Sequence, residues 1–99
     1  MTALLLVVAS AAQEDLREMY RYGMRNWGRR KAGEYLKHFK ECFWLLTTES
    51  GIGIVRPELG DGLRSFATKQ HVVFYRLTES QVQIVRVLHG RQEAGRHLQ

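Results

Sequence analysis

The sequence predicts an α+β domain of order β-α-α-β-β-β, with a helical hairpin packed on a small twisted, mainly antiparallel sheet. Three observations carry this. Near the C-terminus, His71-Val72-Val73-Phe74-Tyr75-Arg76-Leu77 and Val82-Gln83-Ile84-Val85-Arg86-Val87-Leu88 are apolar, β-branched runs joined at Thr78-Glu79-Ser80, the pattern of an antiparallel hairpin. The front half carries two apolar stripes at helical spacing, separated by a very short link. Finally, 99 residues suffice for one hydrophobic core but not two, so 1–99 reads as a single domain.

The elements follow in order. Ala3-Leu4-Leu5-Leu6-Val7-Val8 before Ala9-Ser10-Ala11 imitates the core and cleavage site of a signal peptide. No Lys or Arg precedes it, and it falls far short of the roughly 20 residues that span a bilayer. An opening β-strand is the expectation, with no membrane association. Ser10-Ala11-Ala12-Gln13 has the form of a capping box, and Gln13, Glu14 and Asp15 are expected in the first helical turn, where the dipole favours acid. Ala12, Leu16, Met19, Tyr20, Gly23 and Trp27 then recur on one face, and Gly28 is a suitable stop. Ala32, Tyr35, Leu36, Phe39, Cys42, Phe43 and Leu46 form the second stripe, which makes an antiparallel αα-hairpin. Residues 47–62 break the period with Gly51, Gly53, Gly60, Gly62 and the only proline, so they read as a connection and not a strand. Leu63-Arg64-Ser65-Phe66-Ala67 alternates as a strand, and Thr68-Lys69-Gln70 turns into the hairpin. The Val82–Leu88 run is apolar on both faces, as a central strand should be.

Composition narrows the function. Fifteen Lys+Arg against ten Asp+Glu give +5, which favours an acidic partner without choosing between protein and nucleic acid. A single cysteine excludes an internal disulfide and a cysteine metal framework, in keeping with a reducing cytosol. Cys42 lies on the core stripe and reads as a small buried hydrophobe. His71 and His89 lack companions at metal-motif spacing, so no metal or cofactor is expected. The Gly-rich connection lacks the Lys-Ser/Thr ending of a phosphate loop.

Several segments, in order and at matching spacing, are similar to the ParE branch of the RelE/ParE toxins of bacterial toxin–antitoxin pairs. Ala11-Ala12-Gln13-Glu14-Asp15-Leu16 resembles the family's first-helix start, and Trp27-Gly28 its end. Ile52-Gly53 resembles the connecting loop; Glu58-Leu59 through Gly62-Leu63-Arg64-Ser65-Phe66 resembles the entry to the next strand. The best matches are His71-Val72-Val73-Phe74-Tyr75-Arg76 and Val85-Arg86-Val87-Leu88-His89-Gly90-Arg91-Gln92. Many relatives have a proline before the Ile-Gly pair, where this chain has Ser50-Gly51, so a looser loop is expected there.

The resemblance implies a toxin that blocks DNA gyrase and is neutralised by a ParD-like antitoxin, as a hetero-oligomer and without direct nucleic-acid binding. It also implies a runner-up, because RelE-like cousins cut mRNA on the ribosome with basic residues that stabilise a phosphate electrostatically. Arg64 and Arg91 match two such positions, whereas Val72 and Phe66 stand where an arginine and a lysine would be expected. An inactive relative that only binds its antitoxin is a further alternative. Antitoxin contact is expected at Arg64, Arg76, Arg86 and Arg91. Arg76 and Arg86 would either share the sheet face away from the helices or snorkel out past their aliphatic stems. Trp44, off the core stripe beside Lys37 and Lys40, is the expected aromatic anchor. His89, Arg91, Arg96 and His97 form an expected electropositive patch for the target. No catalytic residue is assigned.

Overall fold

The computed structural model describes residues 3–92 and 94–98. Strand β1 (Leu5–Val8) leads into helix α1 (Ser10–Trp27) and helix α2 (Arg29–Thr48). A 3-10 turn at Ser50–Ile52 follows, then β2 (Ile54–Val55), β3 (Leu63–Thr68), β4 (His71–Leu77), β5 (Gln81–His89) and a short α3 (Ala94–His97). The sheet order is β1-β5-β4-β3-β2, with β1 parallel to β5 and the other pairs antiparallel. The two-sided apolar run is indeed central, held between β1 and β4.

The helical hairpin covers one face of the sheet. Ala12 and Met19 of α1, with Phe39, Phe43 and Leu46 of α2, pack against Val73, Tyr75, Val82, Ile84 and Val87. Strand alternation explains that set: Val73 and Tyr75 share one face of β4, and Val82 and Ile84 share one face of β5. An irregularity at Phe74/Tyr75 then shifts the register, so that Val87 and not Arg86 lies opposite Val73. The extra residue lets β5 bury Val82, Ile84, Val87 and Leu88 in one strand. Between the helices only Gly28 intervenes, at φ 89, a conformation that side chains other than glycine rarely adopt.

Three expectations need correction. The capping box does not form: the N-cap is Ala9, no side chain caps the helix, and Gln13 Nε2 instead donates to the Val8 carbonyl at 3.0 Å. With the helix starting at Ser10, Glu14 and Asp15 fall outside the first turn. The connection at 47–62 is not strandless, since α2 runs to Thr48 and Ile54–Val55 pair with Ser65 and Arg64. Two residues are too few for a periodic signal. The C-terminal α3 also lay below sequence detection, at four residues.

Buried Tyr75 fastens the connection to the sheet. Its hydroxyl donates to the Ser50 carbonyl at 2.7 Å and accepts the Gly53 amide at 2.9 Å. Burial raises the phenol's pKa, keeping it a donor. A Cβ on Gly53 would collide with the Tyr75 hydroxyl and ring. Tyr75 has no room to retreat, at 0% exposure. Gly53→Ala should therefore lower stability by about 2 kcal/mol, the usual scale of overpacking. Urea unfolding checks this, and an unchanged midpoint would contradict it.

Candidate functional site

Asp15 is the organising residue. Strand β1 ends at Val8, opposite Ile84, while β5 continues to His89. The far half of β5 thus has an edge without a neighbouring strand, and its outward amides need acceptors. Asp15, one turn into α1, supplies one: Oδ2 accepts the Val87 amide at 2.9 Å. The same carboxylate receives Arg86 in a bidentate pair, Nε to Oδ2 and Nη2 to Oδ1, both at 2.8 Å. Arg86 Nη1 donates onward to the His97 carbonyl at 3.0 Å, tying down the C-terminal helix. Both partners are largely buried, with side-chain exposures of 22% and 11%. Hydrogen bonding to Asp15 raises the Arg86 pKa further above its ordinary value. The second outward amide, that of His89, is capped by Gln92 Oε1 at 2.6 Å.

Beside this edge lies a cavity of about 470 Å³. Trp27 and Tyr22 of α1, set edge to face at 5.9 Å, form one wall. His71, His89, Gln92 and His97 contribute the polar lining. His71 and His89 are cross-strand partners with ring centroids 5.3 Å apart. Each has its Nδ1 engaged: that of His71 lies 2.9 Å from the Tyr35 hydroxyl, and that of His89 accepts the Arg91 amide at 3.2 Å. Burial, reinforced by the facing His89 and opposed by Asp15, lowers the His71 pKa below the usual histidine value.

The expected arginine surface is divided. Arg64 turns to the connection, Nη1 donating to the carbonyls of Gly53 at 3.0 Å and Gly51 at 3.5 Å. With Tyr75 it ties down the loop that the missing proline had led us to expect loose. Arg76 Nε donates to the Asp61 carbonyl at 3.0 Å. Arg76 does lie on the face away from the helices, since it alternates with core-facing Tyr75. The guanidinium of Arg86, expected on that same face, instead reaches α1. Arg91 is exposed in the turn after β5, and with Lys69 it lines a shallow groove on the other side of the histidine pair. Trp44 is 63% exposed on α2, next to exposed Leu45. His89 and His97 meet at the cavity with Arg86, while Arg96 is exposed on α3.

The sequence marks Asp15 as an acid favoured by the helix dipole and as part of the family-like first-helix start, but not as a site residue. Its role depends on a partner 71 residues away, which no local pattern announces. Cys42 is buried, and burial raises its thiol pKa, which argues against a nucleophile. Among the described residues, no three His, Cys, Asp or Glu side chains could hold a metal ion. None of the described helices is long and apolar enough to cross a membrane.

Solved structures share the fold. The fold matches a toxin–antitoxin complex, the chromosomal ParDE system from P. aeruginosa, with TM-score 0.77, 21% identity, and coverage of 88% of this chain and 96% of that one. It also matches the RelBE2 toxin–antitoxin complex from Mycobacterium tuberculosis, with TM-score 0.69, 22% identity, and coverage of 89% and 99%. Sequence relatives are more specific. Toxin ParE1 of Caulobacter vibrioides is 33% identical over 88% of this chain and 90% of its own length. Toxin ParE1 of Mycobacterium tuberculosis is 31% identical over 93% and 95%. A family model for the ParE toxin of type II toxin–antitoxin systems matches residues 6–94. The chain belongs to the ParE toxin family, within the RelE/ParE superfamily.

Half-buried His71 should make stability depend on pH. His71 binds protons less readily folded than unfolded, so the unfolded chain takes up more protons below pH 6.5. Stability should fall as pH drops below that value, and His71→Gln should flatten the dependence. Urea midpoints measured across the acidic range check this, and equal slopes for both proteins would contradict it.

Proposed function

We propose that this toxin acts by binding DNA gyrase, with no bond-making chemistry of its own, and is neutralised by a ParD-like antitoxin as a hetero-oligomer in the cytoplasm. The observation that carries the reading is the employment of its arginines. A ribonuclease of this fold needs several cations free to meet one phosphate in the transition state. Here Arg64 is spent on the Gly51 and Gly53 carbonyls, and Arg86 on Asp15. Phe66 packs against the core, and Val72 offers only an apolar side chain. Of the positions matched to the nuclease set, Arg91 alone is exposed.

The division of labour among the candidate residues follows. Arg64, Arg76 and Arg86 support the antitoxin-facing surface from within, whereas Arg91 and Trp44 meet the antitoxin directly. An acidic antitoxin segment would offset part of the +5 charge and cover Trp44, an aromatic of the type enriched at binding hot spots. His89, Arg91, Arg96 and His97 surround the C-terminal end and form the target contact.

A supercoiling assay with purified gyrase tests this proposal. Toxin should abolish supercoiling or trap cleaved DNA, premixed antitoxin should restore activity, and Arg91→Glu should weaken inhibition by about tenfold or more. Unimpaired gyrase together with cleavage of ribosome-bound mRNA would overturn it in favour of the nuclease. Unimpaired gyrase with intact mRNA would leave a toxin family member directed elsewhere or silent.

A further inference from the structure

The cavity beside the β5 edge has a composition at odds with the chain around it. The protein carries a net charge of +5, yet this cavity sets two carboxylates, Asp15 and Glu18, against one guanidinium, that of Arg86. Asp15 and Arg86 neutralise each other at 2.8 Å. Glu18, exposed and one turn further along α1, leaves the cavity with an excess of negative charge when the histidines are neutral. Burial lowers the His71 pKa, so that ring adds no positive charge near neutral pH. Tyr22, next on the same helix face, and Trp27 stand at the rim with exposed rings. The Trp27 indole is held edge to face by Tyr22 at 5.9 Å and by Tyr35 at 5.6 Å. These contacts fix its orientation while leaving it 43% exposed. Met19 and Val87 make the floor apolar.

We propose that this cavity binds a small organic cation, an ammonium group joined to an aromatic ring. The electron-rich faces of Trp27 and Tyr22 attract a cation, and Glu18 supplies the opposite charge. An aromatic ring on the ligand would pack against the indole and Met19, burying apolar surface that an inorganic cation lacks. A metal ion does not fit, because among the described residues no three His, Cys, Asp or Glu side chains could hold one. Anions are disfavoured, since Asp15 and Glu18 would repel a phosphate or a carboxylate. The polar lining can orient the bound molecule. With Nδ1 of His71 and of His89 engaged, Nε2 is the nitrogen that each ring can offer, and Gln70 and Gln92 add side-chain amides. At about 470 Å³ the cavity falls in the size range of small-molecule sites. His89 and His97 of the proposed target contact also line it, so an occupant would sit at the border of that surface.

The test uses the full-length chain and three probes of one shape: phenethylamine, phenethyl alcohol and phenylacetate. They place an ammonium, a hydroxyl and a carboxylate on the same benzyl frame. Followed by NMR, phenethylamine should shift the Trp27 indole N–H and the signals of Met19 and His71, leaving the Trp44 indole in place. Phenethyl alcohol should bind about tenfold more weakly, and phenylacetate should not bind. Glu18→Gln, at an exposed position, should keep the circular dichroism of the parent and lose most of the preference for amine over alcohol. Equal affinity for the three probes would overturn the proposal. So would an undiminished amine preference in Glu18→Gln, shifts confined to other surfaces, or no binding at millimolar concentration. None of these readouts involves gyrase, so the cavity and the proposed target stand or fall separately.

Discussion

A strand that outlasts its neighbour sets the central constraint. β1 ends at Val8 while β5 runs on to His89, and the unflanked half of β5 must satisfy its backbone on that edge without a partner strand. Asp15 answers this with one carboxylate that accepts three N–H groups, two from Arg86 and one from Val87. Charged hydrogen bonds contribute roughly 1.5–3 kcal/mol each, and removing one member of a buried pair typically costs about 3–5 kcal/mol. The position of α1 over the sheet, the closure of the β5 edge and the attachment of α3 through the His97 carbonyl all meet at this group.

That arrangement also bears on function. Arginines placed along a sheet invite a reading as phosphate ligands, yet here their hydrogen-bonding capacity is directed inward. Arg86 joins a helix to a strand, Arg64 joins the connection to β3, and Arg76 holds the loop at Asp61. What remains for a partner includes Arg91 near the histidine pair, Arg96 on α3, Trp44 on α2, and the exposed Arg17, Arg21 and Lys40 of the helical hairpin. Such a molecule is suited to recognition through shape and charge, as expected of a toxin held in check by a protein antitoxin.

Much of the fold was legible in the sequence because its long elements carry strong periodic signals. The stripe from Ala32 to Leu46 and the runs at 71–77 and 82–88 each span enough residues to reveal both type and buried face. Short elements did not: β2 has two residues and α3 has four, fewer than one period of evidence. The capping box failed for a different reason. The Ala9 carbonyl accepts the Gln13 amide at 2.9 Å, so the helix starts one residue earlier than the Ser10 cap implied, and the Gln13 side chain turns to the Val8 carbonyl. The candidate site was legible in part. His89 and His97 do converge, but Tyr75 as a loop anchor and Asp15 as an edge cap act across 22 and 71 residues, where no local pattern reaches.

The central claim is that Asp15 closes the open edge of β5, and amide hydrogen exchange at Val87 tests it most directly. In the parent protein the Val87 amide should be among the slowest to exchange, limited by global unfolding. In Asp15→Ala it should exchange far faster than the amides of Val82 and Ile84 on the same strand, which β1 still flanks. Val87 protection that stays level with Val82 and Ile84 in the variant would show that the edge is closed by something other than this carboxylate.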